Sequence, residues 1–489
     1  MTKFDSLSAQ LRKKHLYRTA ASTLGWDQET YLPESSVAHR ADQLALLSGK
    51  VHQLSTSDQY RQALEAAEEE ALPEQTANLR ELRHHYDRAT RIPQALVEKS
   101  SQSSSLAKNA WAKARTDDDF ANFAPHLETL LEIAREKADR WGYQDEPYTA
   151  LLSGYERGAT THQVSQLFNS LKSDLSRIAS EAVASSQSLP ADSLLGPAPI
   201  AQQQILNHEI AASIGFDFSQ GRIDTTTHPF CTTLGPNDIR LTTRYDENDF
   251  ASSLFGVLHE AGHGLYEQGL PSEQAHLPSG ESVSLGIHES QSRLWENHVG
   301  RSRPFWEKWL PRAQELFPHL QKLSFDQFHA AINRSQYSFI RVEADEATYD
   351  LHILLRFTLE RQLLNGELKV TDVPRAWNEL FEELFRMTPP SNTEGCLQDI
   401  HWSMGGLGYF ATYSLGNLNS AQLFTTAMQD PTISTAFAKA DTTPLLHWLQ
   451  TEIHAKGSTL MPQELMKSAT GRPTEGADYL AHLASKDQS

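Results

Sequence analysis

The sequence predicts a mainly α-helical protein, one large helical domain with a small β-sheet insert. Three observations carry this expectation. Apolar residues recur at three- and four-residue spacing over most of the chain, one Thr-rich segment alternates with a period of two, and no stretch reads as an inter-domain linker. At 489 residues, length alone allows about three domains or one unusually large one. With 39% hydrophobic and only 21% charged residues, the chain can bury a sizeable core.

Residues 1–220 read as helix. "HLETLLEIAREKADRWG" places Leu127, Leu130, Leu131 and Ile133 at helical spacing and stops at Gly142. "THQVSQLFNSLKSDLSRIASEAV" repeats the stripe with Val164, Leu167, Leu171, Leu175 and Ile178. Polar breaks such as "SQSLPADSLLGPAP" separate these runs. Residues 221–246 differ. "GRIDTTTHPFCTTLGPNDIRLTTRYDEND" has a "GPND" turn between two candidate strands. Within it, alternation sends Ile239, Leu241 and Tyr245 one way and Asp238, Arg240 and Thr242 the other. Residues 247–489 return to helix.

A formal net charge of −19 leaves nothing to neutralise phosphates over a broad face, so no nucleic-acid partner is expected. Two cysteines, Cys231 and Cys396, cannot form a disulfide framework and suggest a reducing compartment. The N-terminal segment has no apolar h-region, and no apolar run approaches the ~18 residues that a membrane span needs. The expectation is a cytoplasmic protein with no membrane partner.

The chemistry concentrates in "LFGVLHEAGHGLYEQG", residues 254–269. On a helix, His259 and His263 lie one turn apart on one face and can present ring nitrogens to one metal ion. Asn248 suits an N-cap and Gly269 a stop. Gly256, Gly262 and Gly264 each cost a helix about 1 kcal/mol relative to Ala, which implies that another backbone or a substrate approaches closely. Glu260, beside the first His, suits a general base acting on water. A catalytic zinc needs a third protein ligand, and "SVSLGIHESQSRLWENHVG" offers His288, Glu289, Glu296 and His298. Spacing alone does not choose among them.

Six motifs occur in order: "HPF" (His228 to Phe230), "DIRLT" (Asp238 to Thr242), "HEAGH", "HESQ" (His288 to Gln291), "IRVEAD" (Ile340 to Asp345) and "GCLQDIHW" (Gly395 to Trp402). The chain resembles the carboxypeptidase Taq family of metallocarboxypeptidases, whose patterns are HPF, DxRxT, HExxH, HESQ, IRxxAD and GxxQDxHW. "LGWDQETYLP" near the start and "ATGRPTEGADYLAHL" near the end extend the likeness. The resemblance implies a saddle-like helical fold with a deep groove. It implies a cytoplasmic homodimer that uses zinc, sometimes cobalt, to remove single C-terminal residues from peptides with broad specificity. It also implies that Glu289 is the third ligand and Glu260 the base. One departure is Ala411, where the family commonly carries Pro; this should loosen the loop behind Tyr409.

The other motifs can be read on their chemistry. Arg341 and Asp345 are expected one turn apart on a helix running through "RVEADEATYDLHILLRFTLERQLLNG". Spacing alone makes them a surface pair; an exopeptidase, however, has to grip a terminal carboxylate, and arginine offers a planar two-pronged donor. Arg240 is a second candidate for that role or for limiting substrate length, with Asp238 and Thr242 on its strand face. His401 and Tyr409 are candidate donors to the oxyanion formed at the peptide carbonyl. His228 is expected to shape the groove, and the cysteines to pack. Two alternatives stand beside this reading: an oligopeptidase cutting inside short peptides, and a non-catalytic scaffold with a structural HEAGH. An intact Glu260 argues against the scaffold.

Overall fold

A computed structural model describes residues 2–187, 190 and 192–486. Of the "SQSLPADSLLGPAP" break, residues 188, 189 and 191 lie outside the described residues. Twenty α-helices, nine short 3-10 helices, one π-helical turn and three short strands make up the regular structure among the described residues. The periodic segments fold as their patterns predict. The helix Phe120–Trp141 buries Leu127, Leu130, Leu131 and Ile133 and ends on Gly142. The helix Thr161–Ser186 starts on a Thr160/Gln163 capping box and buries Val164, Leu171, Leu175 and Ile178. Leu167 is only half-buried; the larger Phe168 takes the core position beside it.

The chain groups into two compact units. One comprises Met1–Thr90, Pro190–Ile332 and Asn419–Thr474; the other comprises Arg91–Leu189, Asn333–Leu418 and Glu475–Ser489. Each is assembled from three separate stretches, so no single linker marks a boundary.

The first unit holds the sheet: β1 (Gly221–Thr225), β2 (Cys231–Gly235) and β3 (Asp238–Thr243). The order is β1-β3-β2, with β1 parallel and β2 antiparallel to β3. Ile239 and Leu241 of β3 point into a core shared with Leu254, Val257, Leu258, Ala261 and Leu265 of the helix Phe250–Gly269. Alternation therefore holds for those two residues. Tyr245 falls beyond the strand end, and Thr242 and Thr243 are both fully buried, Thr242 against Phe230 of the loop before β2 and Thr243 against the Ser253 carbonyl.

Three local expectations need correction. The helix Phe250–Gly269 is capped by Asp249, not Asn248: the Asp249 carboxylate accepts from the Ala251 and Ser252 amides at 3.0 and 3.2 Å. The helix Leu285–Arg293 passes into a π-helical turn over Leu294–Val299, which turns Glu296 back toward His259. Arg341 and Asp345 share no helix. Arg341 opens a short 3-10 turn (Arg341–Glu343), and Asp345 caps the helix Glu346–Leu364 by accepting from the Ala347 amide at 2.9 Å. An Asp placed just before a long helix is worth more as a cap than as a surface partner.

In the second unit the helix Glu346–Leu364 buries fifteen of its nineteen residues, including Asp350, His352, Arg356 and Glu360. His352, Arg356 and Glu360 recur every fourth position, a polar stripe inside a core helix. The last two meet the Gln398–Gly408 segment. Ala411 is the first residue of the helix Ala411–Ala427, a position where proline's fixed φ would fit.

Candidate functional site

In the first unit, the helices Phe250–Gly269 and Leu285–Arg293 approach closely because Gly262 lacks a side chain. A Cβ there would lie 2.6 Å from the Gln291 carbonyl oxygen and the Ser292 Cα. This brings Glu289 opposite the histidine pair. His259 Nε2 and His263 Nε2 stand 3.8 and 3.6 Å from Glu289 Oε2. The three residues each offer a ligand atom within 4.8 Å of the others.

The other atom of each side chain is held from outside. His259 Nδ1 meets Glu296 Oε2 at 2.8 Å, and His263 Nδ1 meets the His288 carbonyl at 3.0 Å and His288 Nδ1 at 2.6 Å. His288 in turn contacts Glu267 Oε1 through Nε2 at 2.9 Å. Glu289 Oε1 accepts from Arg293 Nε at 2.7 Å. With the protons on the two Nδ1 atoms, both Nε2 lone pairs and one carboxylate oxygen face a common point. Two imidazoles and a carboxylate, each fixed by an outer partner, form a donor set that fits a divalent cation such as zinc.

Charge at the site is tightly balanced. Burial opposes a proton on His259, but the Glu289 and Glu296 carboxylates prevail and hold its pKa up at about 9. A cation entering the set therefore displaces a proton. Burial, with His288 next, pushes His263 well below its ordinary value. Burial likewise pushes the Glu260 carboxyl up to about 7, against the pull of His259. That suits a group exchanging protons near neutrality.

In the second unit the structure gathers Arg341, His401 and Tyr409. Arg341 is buried; its Nε and one terminal nitrogen donate to Asp399 Oδ1 at 3.1 and 2.9 Å, and the other terminal nitrogen to the Tyr349 hydroxyl at 2.9 Å. Arg356 is fully buried and donates to Asp399 Oδ2 through Nε at 2.7 Å. The guanidinium's partner is thus Asp399, not Asp345. Two arginines share the Asp399 carboxylate, and the buried Glu360 carboxyl, one turn along the helix from Arg356, also feels the Arg356 charge. Burial opposes ionisation of Asp399, yet Arg356 and Arg341 hold its carboxyl far below the usual range. His401 lies 3.9 Å from Asp399 and ring-to-ring with Tyr409 at 5.3 Å. Burial lowers the His401 pKa to about 4, so its imidazole is neutral near pH 7.

The remaining predicted residues lie on or beside β3. Arg240 makes a two-pronged pair with Asp238 at 2.8 and 2.9 Å and stacks over Trp26, 4.1 Å from the ring centroid. Of the three residues expected on one strand face, Asp238 and Arg240 are half-buried and Thr242 is fully buried. The Thr242 hydroxyl is occupied, accepting from the Phe230 amide at 2.8 Å and donating to its carbonyl at 3.0 Å. It thereby ties the His228–Phe230 segment to β3, and His228 itself is exposed. Sequence reasoning missed Asp399, Arg356 and the outer roles of Glu296, Arg293 and His288. Asp399 was within reach, because it sits in "GCLQDIHW"; Arg356 carries no local signal at all.

The profile described as "Carboxypeptidase Taq (M32) metallopeptidase" matches residues 6–487. "Thermostable carboxypeptidase 1" of Thermus thermophilus is 41% identical over 476 residues, covering 94% of this chain and 93% of that protein. "Carboxypeptidase 1" of Bacillus subtilis is 35% identical over 481 residues, covering 97% and 96%. The crystal structure of an M32 carboxypeptidase from Deinococcus radiodurans superimposes with a TM-score of 0.96 at 36% identity, over 99% of this chain and 98% of that one. Together with the histidine–carboxylate donor set, these likenesses run the length of the chain: it belongs to the carboxypeptidase Taq (M32) family and is a metal-dependent carboxypeptidase.

Proposed function

We propose that the ion is zinc, with cobalt able to replace it, held by His259, His263 and Glu289, and that single residues of broad chemical type are released from free peptide C-termini. The convergence of those three side chains beside Glu260 carries this reading. When bound, the ion supplies Lewis acidity to a peptide carbonyl and to water. Glu260 takes the proton from the attacking water and delivers it to the departing amine.

Arg341 receives the terminal carboxylate. The chemistry of the guanidinium supports this, since its planar donors match a carboxylate. Neutral His401 and Tyr409 donate hydrogen bonds to the oxyanion. Arg240, locked by Asp238, is the second candidate for carboxylate recognition or for limiting substrate length, with Thr242 and His228 shaping that segment. The enzyme works as a homodimer in the cytoplasm on peptide substrates.

The test is a time course of residues released from one defined peptide, before and after chelation. Chelation should abolish release, zinc or cobalt should restore it, and residues should appear one at a time from the C-terminus. Full activity in a metal-free preparation would sink the metal assignment. Equal cleavage of a C-terminally amidated peptide would turn the reading toward an oligopeptidase.

A further inference from the structure

The helix Glu346–Leu364 carries a buried carboxylate that the reaction above does not use. Glu360 is 0% exposed. Its Oε1 accepts from the Trp402 indole nitrogen at 2.8 Å, and its Oε2 accepts from the Gly408 amide at 3.1 Å. Trp402 directly follows His401, and Gly408 directly precedes Tyr409. One carboxylate therefore grips both ends of the segment that separates the two candidate oxyanion donors.

That segment needs a grip. It contains Gly405 at φ +74° and Gly408 at φ +88°, left-handed conformations that Gly adopts freely and that bring little stiffness of their own. Gly408 is further pressed against its surroundings, since a Cβ there would lie 3.0 Å from the Leu152 amide nitrogen. A buried carboxylate is an expensive choice for a tether. Burial pushes Glu360 up to about 7, while the Gly408 and Trp402 donors and the Arg356 charge pull it down. A carboxylate nevertheless has what a neutral amide lacks: two oxygens that can each accept, and charge-assisted bonds about twice as strong as neutral ones.

We propose that Glu360 is a positioning residue that fixes His401 and Tyr409 for hydrogen-bond donation during peptide hydrolysis. This rests on the reading of those two residues as oxyanion donors. Glu360→Gln keeps the volume but turns one acceptor into a donor, so either Trp402 or Gly408 loses its partner.

The experiment compares kcat, KM and metal content of the zinc-loaded enzyme with those of Glu360→Gln, His401→Ala/Tyr409→Phe, and all three changes together. A second readout is the Trp402 indole resonance in tryptophan-15N-labelled protein, assigned with Trp402→Phe. Glu360→Gln should shift that resonance and lower kcat roughly 10- to 100-fold, the scale of an ångström-level misplacement, with KM and metal content little changed. In the His401→Ala/Tyr409→Phe background the same change should cost almost nothing further, because the groups it positions are gone. An equal loss in both backgrounds, or a shifted resonance with unchanged kcat, overturns the proposal while leaving the donor reading intact. Unchanged kcat in His401→Ala/Tyr409→Phe overturns the donor reading itself, and the proposal with it. Should Glu360→Gln fail to fold, Trp402→Phe removes one end of the tether and faces the same comparison.

Discussion

At the residue scale, two side chains should separate bond cleavage from end recognition. Glu260→Gln preserves shape and hydrogen bonding but removes basicity. Metal should stay bound while turnover falls by at least about 100-fold, the lower range for loss of a general base. Near-normal turnover with metal in place would move the role elsewhere. Arg341→Ala tests the other function, and its surroundings make the test clean: Asp399 keeps Arg356 as partner, so no buried carboxylate is stranded. A charged contact contributes about 1.5–3 kcal/mol, so kcat/KM on free-carboxylate peptides should drop roughly 10- to 150-fold. The slow cleavage of amidated peptides should change little; equal losses on both would pass the role to Arg240. The metal ligands could be read from the sequence because "HEAGH" is local and "HESQ" completes the set by resemblance. Arg341's true partner could not, because Asp399 is 58 residues away and only folding brings it near.

At the element scale, the site depends on how closely two helices approach. The three glycines of the Phe250–Gly269 helix suggested a close neighbour, and the structure separates their roles. At Gly262 a Cβ would strike backbone at 2.6 Å; at Gly264 it would meet the Phe216 and Leu241 side chains at 2.7 and 2.9 Å; at Gly256 it would meet only Thr243 Oγ1, at 3.3 Å. Gly262→Ala must therefore push Glu289 away from the histidine pair. We expect it to cost about 1–3 kcal/mol in stability and to weaken zinc binding, read by thermal melting and competition with a chromogenic chelator. Gly256→Ala should be near neutral, or stabilising by up to about 1 kcal/mol, with zinc affinity unchanged. Matching losses at both positions would refute the close-approach argument. Periodicity revealed that these helices exist, but not the π-helical turn over Leu294–Val299 nor the break after Glu343. Both are set by tertiary partners, Glu296 with His259 and Arg341 with Asp399, for which a local pattern has no signature.

At the scale of the whole molecule, the chain's interleaving hid its two units from a linear reading, while composition and periodicity were enough to give the helical class. Buried histidines then give the protein a definite response to acid. His454, in the first unit, is fully buried and reaches Gln291 Oε1 at 3.0 Å through Nε2. Burial, with the His288 charge adding to it, lowers its pKa to about 3. An unfolded histidine titrates near 6.5. Between about pH 6.5 and 3 the unfolded chain therefore binds a proton that the folded one refuses. Stability from this residue is complete above pH 6.5 and drains away as pH falls through that window, at up to about 1.4 kcal/mol per unit. Other groups act in the opposite sense, Glu360 among them, and acidification also discharges the net −19. The measurable quantity is accordingly a difference. His454→Gln keeps a donor for Gln291 but cannot titrate. In chelated protein, where metal release plays no part, its melting temperature should lie below that of the parent at pH 7.5 and gain steadily on it from pH 6.5 downward. A gap that stays constant from pH 7.5 to 4 would mean that His454 is protonated in the folded protein or carries no share of the acid response.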